Sequence, residues 1–130
     1  VIIDNLDKLT ILKARTFEEF TSDFRNIDST LHRLQTSIQA LLDIGSYIIA
    51  SLGLKTPNTN AEIIKILNEG GFLPKDKAET YIKISQFRNR IVHPYNHIDT
   101  ETLYDILINE LGDIIAFYTD LIKIIENHKR

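Results

Sequence analysis

Apolar residues in the first half of the chain recur at alternating intervals of four and three. From Ile27 they run through Leu31, Leu34, Ile38, Leu41, Gly45, Ile48 and Leu52, the seam of a long helix packed at a shallow angle against its neighbours. Leu42 and Ile49 widen that seam to the breadth a bundle interior needs. Gly45 leaves a gap in it, where a second helix can approach closely. The end of the chain repeats the pattern through Leu103, Ile106, Leu107, Leu111, Ile114, Ile115, Tyr118, Leu121, Ile122 and Ile125. These two stretches, about seven turns each, are expected to form the spine of the molecule.

Boundary signals divide the rest. Thr16-Phe17-Glu18-Glu19 and Thr59-Asn60-Ala61-Glu62 both have the spacing of a capping box, in which hydroxyl and carboxylate satisfy each other's free amides. Asp99 can cap the last helix, with Glu101 in its first turn favourably placed in the helix dipole. Gly53, Gly70-Gly71 and Pro94 are stop signals. The predicted helices are 2–15, 23–53, 60–69, 76–92 and 99–128, with Phe17–Ser22 a short turn or a kinked start to the second. No alternating segment lies between hairpin turns, so no strand is expected. The fold class is all-α: an antiparallel four-helix bundle with one additional short helix, residues 1–130 forming a single domain.

Composition narrows the function. The chain has no cysteine, which excludes disulfides, thiolate nucleophiles and cysteine zinc sites. No apolar run approaches the roughly 18–20 residues of a membrane span, and Val1-Ile2-Ile3-Asp4-Asn5 lacks the basic, then apolar, character of a secretory signal. A cytoplasmic protein without membrane contact is therefore expected. A net charge of −3 argues against coating nucleic acid through bulk charge. Yet between Lys75 and His93 five cations (Lys75, Lys77, Lys83, Arg88 and Arg90) face only two anions, Asp76 and Glu79. A positive strip on an acidic body suits a site that grips a few phosphates. A helical domain of this size also often completes its core by pairing.

The chemistry concentrates where the fourth long helical stretch ends, in Phe87-Arg88-Asn89-Arg90-Ile91-Val92-His93-Pro94-Tyr95-Asn96-His97. Asn89 and His93 are four residues apart, neighbours on a helix, so the amide can hold the imidazole in one tautomer. Pro94 disfavours helical geometry at His93 and ends the helix there. Arg88 and His93 are five apart, about 140° around an ideal helix. Within one straight helix they would not face one small target. An unwound last turn would solve this, and so would a two-fold dimer in which each subunit supplies part of a common cleft.

Arg88, Asn89 and His93 resemble the R-x-x-x-x-H signature of HEPN domains, with a polar residue right after the arginine. Its extension through Tyr95 resembles the form found in HepT, the toxin of HEPN–MNT toxin–antitoxin systems. The layout and length are similar over nearly the whole chain. The resemblance implies a homodimeric, metal-independent endoribonuclease without a cofactor, its cleft holding both copies of the motif. His93 would move a proton at the ribose 2′-hydroxyl or the leaving 5′-oxygen, Arg88 would hold the scissile phosphate, and Asn89 would support either. Arg90 and Lys83 would extend the RNA-binding strip. Tyr95 would accept AMP from the cognate MNT nucleotidyltransferase, the antitoxin.

Each residue also has a plain structural reading. Arg88 can serve as an ion-pair partner, His93 as a helix-end contact to the last carbonyls, and Tyr95 as a packing residue. A metal held by His93, His97 and Asp99 is disfavoured because Pro94 breaks the helical spacing. His32 and His128 fall on polar sides and are expected to be solvated. Tyr47, Tyr81, Tyr104 and Tyr118 are expected in the core or an interface. The alternative function is a non-catalytic helical partner or substrate-binding subunit of an MNT-type nucleotidyltransferase, which the acidic net charge fits at least as well. A metabolite-binding bundle ranks last, since no phosphate loop is present.

Overall fold

The computed structural model describes residues 2–92 and 100–128, with backbone alone for 88–92. Within that range the elements are α1 (Ile2–Lys13), α2 (Phe17–Thr21), α3 (Phe24–Ser51), α4 (Asn60–Glu69), a 3-10 turn (Lys75–Lys77), α5 (Ala78–Val92) and α6 (Thr100–Asn127). No strand occurs among the described residues, and none of the helices is long and apolar enough to cross a membrane. Phe17–Ser22 resolves into a separate helix, so two short helices accompany the four main ones. Thr16 closes a full capping box there: its hydroxyl accepts from the Glu19 amide at 3.1 Å, and its own amide donates to the Glu19 carboxylate at 2.9 Å. At Thr59 only the forward half is described, the hydroxyl accepting from the Glu62 amide at 3.2 Å. Gly53 ends α3 with a φ of 67°, letting the Leu54 amide reach the Ile49 carbonyl at 3.0 Å. The Asp99 cap lies outside the described residues.

Two sets of contacts fix the direction of the long helices. At one end, Arg15 after α1 donates to Asn26 of α3 at 3.3 Å, and the Arg15 carbonyl accepts from Tyr104 of α6 at 2.6 Å. At the other end, Ile48, Ser51 and Leu52 share a hollow with Ile124, Ile125 and His128. Hence α3 and α6 run parallel, side by side, while α1 and α5 run the opposite way on their flanks. Helices consecutive among these four remain antiparallel, as expected. The spine itself is a parallel pair.

The core corrects the apolar seams in two places. On α3, Leu34, Ile38, Leu41, Gly45 and Ile48 are buried, but near its start the buried positions are Asn26 and Thr30, while Ile27 and Leu31 are half-exposed. The cause is a demand for donors. The Asn26 amide reaches the Glu19 and Phe20 carbonyls at 3.2 and 3.3 Å, which α2 leaves open at its C-terminus. On α6 the buried stripe is Ile114, Phe117, Leu121 and Ile124, whereas Ile115 is exposed and Tyr118, Ile122 and Ile125 are half-buried.

Gly45 meets the role read from the seam. A Cβ built on it would lie 2.6 Å from Cγ2 of Ile63, so α4 crosses α3 where no side chain intervenes. Gly45→Ala is therefore expected to destabilise the fold by about 1–3 kcal/mol, despite alanine's higher helix propensity. Urea unfolding measures it, and an unchanged or raised midpoint would contradict the close approach.

Candidate functional site

The site begins with what holds α5. Tyr81, Ile84 and Phe87 bury one face of that helix against α3, α4 and α6. Tyr81 stacks on Phe117 of α6, with ring centroids 4.4 Å apart and 10° between planes, and its hydroxyl donates to the Asp120 carboxylate. Burial pushes the phenol's pKa above its ordinary range, and the nearby Asp120, Asp113 and Asp76 carboxylates add to the shift. A phenol whose folded pKa is raised keeps its contribution to stability below its unfolded pKa, near 10, and loses it as pH rises beyond that. Tyr81 is thus a neutral, locked pin between α5 and α6.

Further along, Lys83 Nζ lies 3.4 Å from Oε1 of Glu110 and 5.8 Å from the centroid of the Phe87 ring. The pairing leaves the lysine largely exposed, 60% by side chain, so its charge remains available to solvent. Arg88, Asn89 and Arg90 lie on the last turns of α5, on helical backbone as their spacing requires. His93 and Tyr95 lie outside the described residues, as do Pro94, His97 and Asp99.

The end of α5 lies beside the start of α6. Several elements converge near the start of α6. Tyr104 packs its ring against Phe17 and Phe20 at 5.3 and 5.2 Å between centroids while donating to the Arg15 carbonyl. Phe17, Glu101, Tyr104 and Asp105 line an open acidic hollow there. Sequence reasoning named Tyr104 as core or interface and missed the Arg15–Asn26 junction that anchors it. No local signal marked it, because the burial of Asn26 answers carbonyls on a neighbouring helix.

Tyr81 is in the core, Tyr118 is half-buried, and Tyr47 is exposed. His32 is exposed, as expected. His128, though exposed, is engaged: Nδ1 lies 2.9 Å from the Ile124 carbonyl, and its ring meets Phe72 edge-on at 5.5 Å between centroids. Among the described residues no group of three or more His, Asp or Glu side chains is placed to hold a metal.

Residues 2–121 match the family model described as HepT-like, Ribonuclease HepT-like. The chain is 29% identical over 99 residues to the tRNA nuclease HepT of Aphanizomenon flos-aquae, covering 76% of this chain and 67% of that protein. It is 25% identical over 105 residues to the mRNA nuclease HepT of Shewanella oneidensis, covering 81% and 78%. Its fold is similar to that of the tri-AMPylated Shewanella oneidensis HEPN toxin solved in complex with MNT antitoxin, with a TM-score of 0.71 and 22% identity over 94% of this chain and 96% of that one. A toxin–antitoxin complex with AMP-PNP is similar at a TM-score of 0.69 and 20% identity, covering 92% and 96%.

Proposed function

The chain belongs to the HepT-like ribonuclease family, and from that premise we propose that it is the RNA-cleaving toxin of a HEPN–MNT toxin–antitoxin pair. The observation that carries the reading is the placement of Arg88 and Asn89 on the last turns of a helix pinned by Tyr81, with His93 next in sequence after its last residue, Val92.

The reaction needs no metal. A ribose 2′-hydroxyl loses its proton and attacks the adjacent phosphorus, and the bond to the 5′-oxygen breaks as that oxygen gains a proton. His93 takes the first proton or supplies the second, since imidazole titrates near neutrality. Arg88 forms charge-assisted bonds to the phosphate oxygens as negative charge builds on them. Asn89 orients His93 or the phosphate, while Lys83 and Arg90 hold flanking RNA. Two copies of the chain share the cleft, which resolves the 140° offset between Arg88 and His93. The dependence on a 2′-hydroxyl selects RNA over DNA. Purified protein incubated with an RNA and its all-deoxy counterpart, each with excess EDTA, tests this. Cleavage of the RNA alone, undiminished by chelator, is expected; cleavage of both, or none with EDTA, would sink the mechanism.

Neutralisation acts through Tyr95. The MNT partner transfers AMP from ATP to the phenolic oxygen, releasing pyrophosphate, and the bulky anionic adduct two residues from His93 blocks RNA. AMPylation named for the similar Shewanella oneidensis toxin supports the assignment. Tyr95→Phe is expected to stay toxic when co-expressed with the antitoxin, and intact-mass analysis should show loss of at least one AMP adduct relative to wild type. An equal adduct count on both proteins would remove Tyr95 from the scheme.

The acidic net charge favours a second reading, a non-catalytic partner of the nucleotidyltransferase. Expression alone separates the two, because only the toxin reading predicts growth arrest that Arg88→Ala abolishes.

A further inference from the structure

The exposed side of α6 carries more apolar surface than a solvated helix needs. Ile115 is 37% exposed, and Ile108 and Ile122 are half-buried on the same edge, forming a ridge at seven-residue spacing. Beside the ridge, Gly112 lies mid-helix in open space, and among the described residues nothing beyond its own helix backbone stands within 4 Å of where a Cβ would be. Nothing among the described residues accounts for a glycine there, since it weakens an exposed helix relative to alanine.

The residues that share this face are Asp105, Asn109, Gly112, Ala116, Thr119 and Lys123, spaced four, three, four, three and four. All are exposed except the half-buried Ala116. The Thr119 hydroxyl donates to the Ile115 carbonyl at 3.0 Å, so it asks for no outside partner. The order reads symmetrically about its midpoint. If a second α6 crosses antiparallel there, Gly112 meets Ala116 of the other copy, Asn109 meets Thr119, and Asp105 meets Lys123. Each charged end then faces its opposite twice, once on either side of the axis. Neither Asp105 nor Lys123 forms an ion pair among the described residues.

We propose that the outer face of α6 is a self-association surface, on which two copies of this chain pair antiparallel about Gly112 and Ala116. A two-fold contact must be self-complementary, and this face meets that condition in charge, in the small side chains at its centre and in the isoleucine ridge along its edge. A different partner would not require opposite charges at matching distances from one midpoint.

The geometry also separates this contact from the shared cleft proposed above. The helix is 28 residues long, about 42 Å at 1.5 Å per residue. Antiparallel pairing about its middle sends the two α5 ends to opposite ends of the assembly. A chain with both contacts therefore builds beyond a dimer, and the α6 contact stands whether or not the cleft exists.

Light-scattering mass of the full chain tests it. Gly112→Arg places a large side chain where the isolated fold has room, so circular dichroism should keep its helical signal while the mass falls by half. Lys123→Asp should weaken association at low salt, and adding Asp105→Lys should restore it. An unchanged mass in Gly112→Arg, or a monomeric wild type at high micromolar concentration, overturns the proposal. Failure of the charge swap to restore association overturns the antiparallel register. If instead Gly112→Arg keeps the wild-type mass and Arg88→Glu lowers it, the association belongs to the cleft end alone.

Discussion

Replacing His93 by alanine is expected to slow RNA cleavage by about two to four orders of magnitude, the usual worth of a positioned proton-transfer group. Arg88→Ala should cost about two to three orders, as removal of a single oxyanion donor does elsewhere. The double variant should be barely slower than either, because groups that stabilise one transition state fail together. Arg88→Lys should rescue only partly, since an ammonium does not reproduce the two-pronged fit of guanidinium to phosphate. Initial rates on a labelled RNA measure all four, with circular dichroism as the folding control. Mixing Arg88→Ala and His93→Ala chains probes the shared cleft. If Arg88 of one subunit works with His93 of the other, each mixed dimer retains one intact site, and random pairing restores roughly a quarter of wild-type activity. No recovery after subunit exchange would place both residues in a single subunit.

Phe117→Ala is expected to be the most damaging single change to the fold away from the motif. The ring is fully buried and stacks on Tyr81, so truncation loses its transfer energy and leaves a cavity, together about 3–5 kcal/mol. That is a third or more of the stability typical of a domain, and the melting temperature should drop by about 10–20 °C. A second effect follows from position. The cavity opens beneath the residue that pins α5, so the motif loses its fixed backing and cleavage should slow even at temperatures where the protein stays folded. Calorimetry beside single-turnover cleavage would show both. A large fall in melting temperature with an unaltered rate would mean that α5 does not rely on this stack.

The lengths of α3 and α6, the Thr16 cap and the stop at Gly53 were legible because local rules govern them. Hydrophobic spacing, a hydroxyl three residues before a carboxylate and a left-handed glycine act within a few residues of themselves. Phe117 and Ile124 were missed because isoleucine occurs on both sides of α6. The outer ridge of Ile108, Ile115 and Ile122 mimics an inner stripe, and only a fold shows which row meets α3. Asn26 was missed for another reason. Its burial answers open carbonyls on α2, a demand created by a neighbour and invisible in the periodicity of α3. For the site, spacing and the following proline pointed to the end of α5; Arg88 to Arg90 lie on its helical backbone, while His93 and Tyr95 lie outside the described residues. The pin that fixes that helix, Tyr81 with Phe117 and Asp120, depends on pairing across 39 residues, which no local pattern carries.

The parallel alignment of α3 and α6 also shapes how the chain reaches its native state. Parallel neighbours cannot be joined by a tight turn, and nearly fifty residues separate the end of α3 from the start of α6. The Tyr104–Arg15 bond spans 89 residues, so this contact and the central seam both draw distant parts of the chain together. Loop closure of that length is slow relative to helix pairing between sequence neighbours. The antiparallel α5 and α6, close neighbours in sequence, can therefore assemble while the spine is still open. On that order α5 and α6 are expected to pair early, with docking of α1 and α3 against them as the later and slower step.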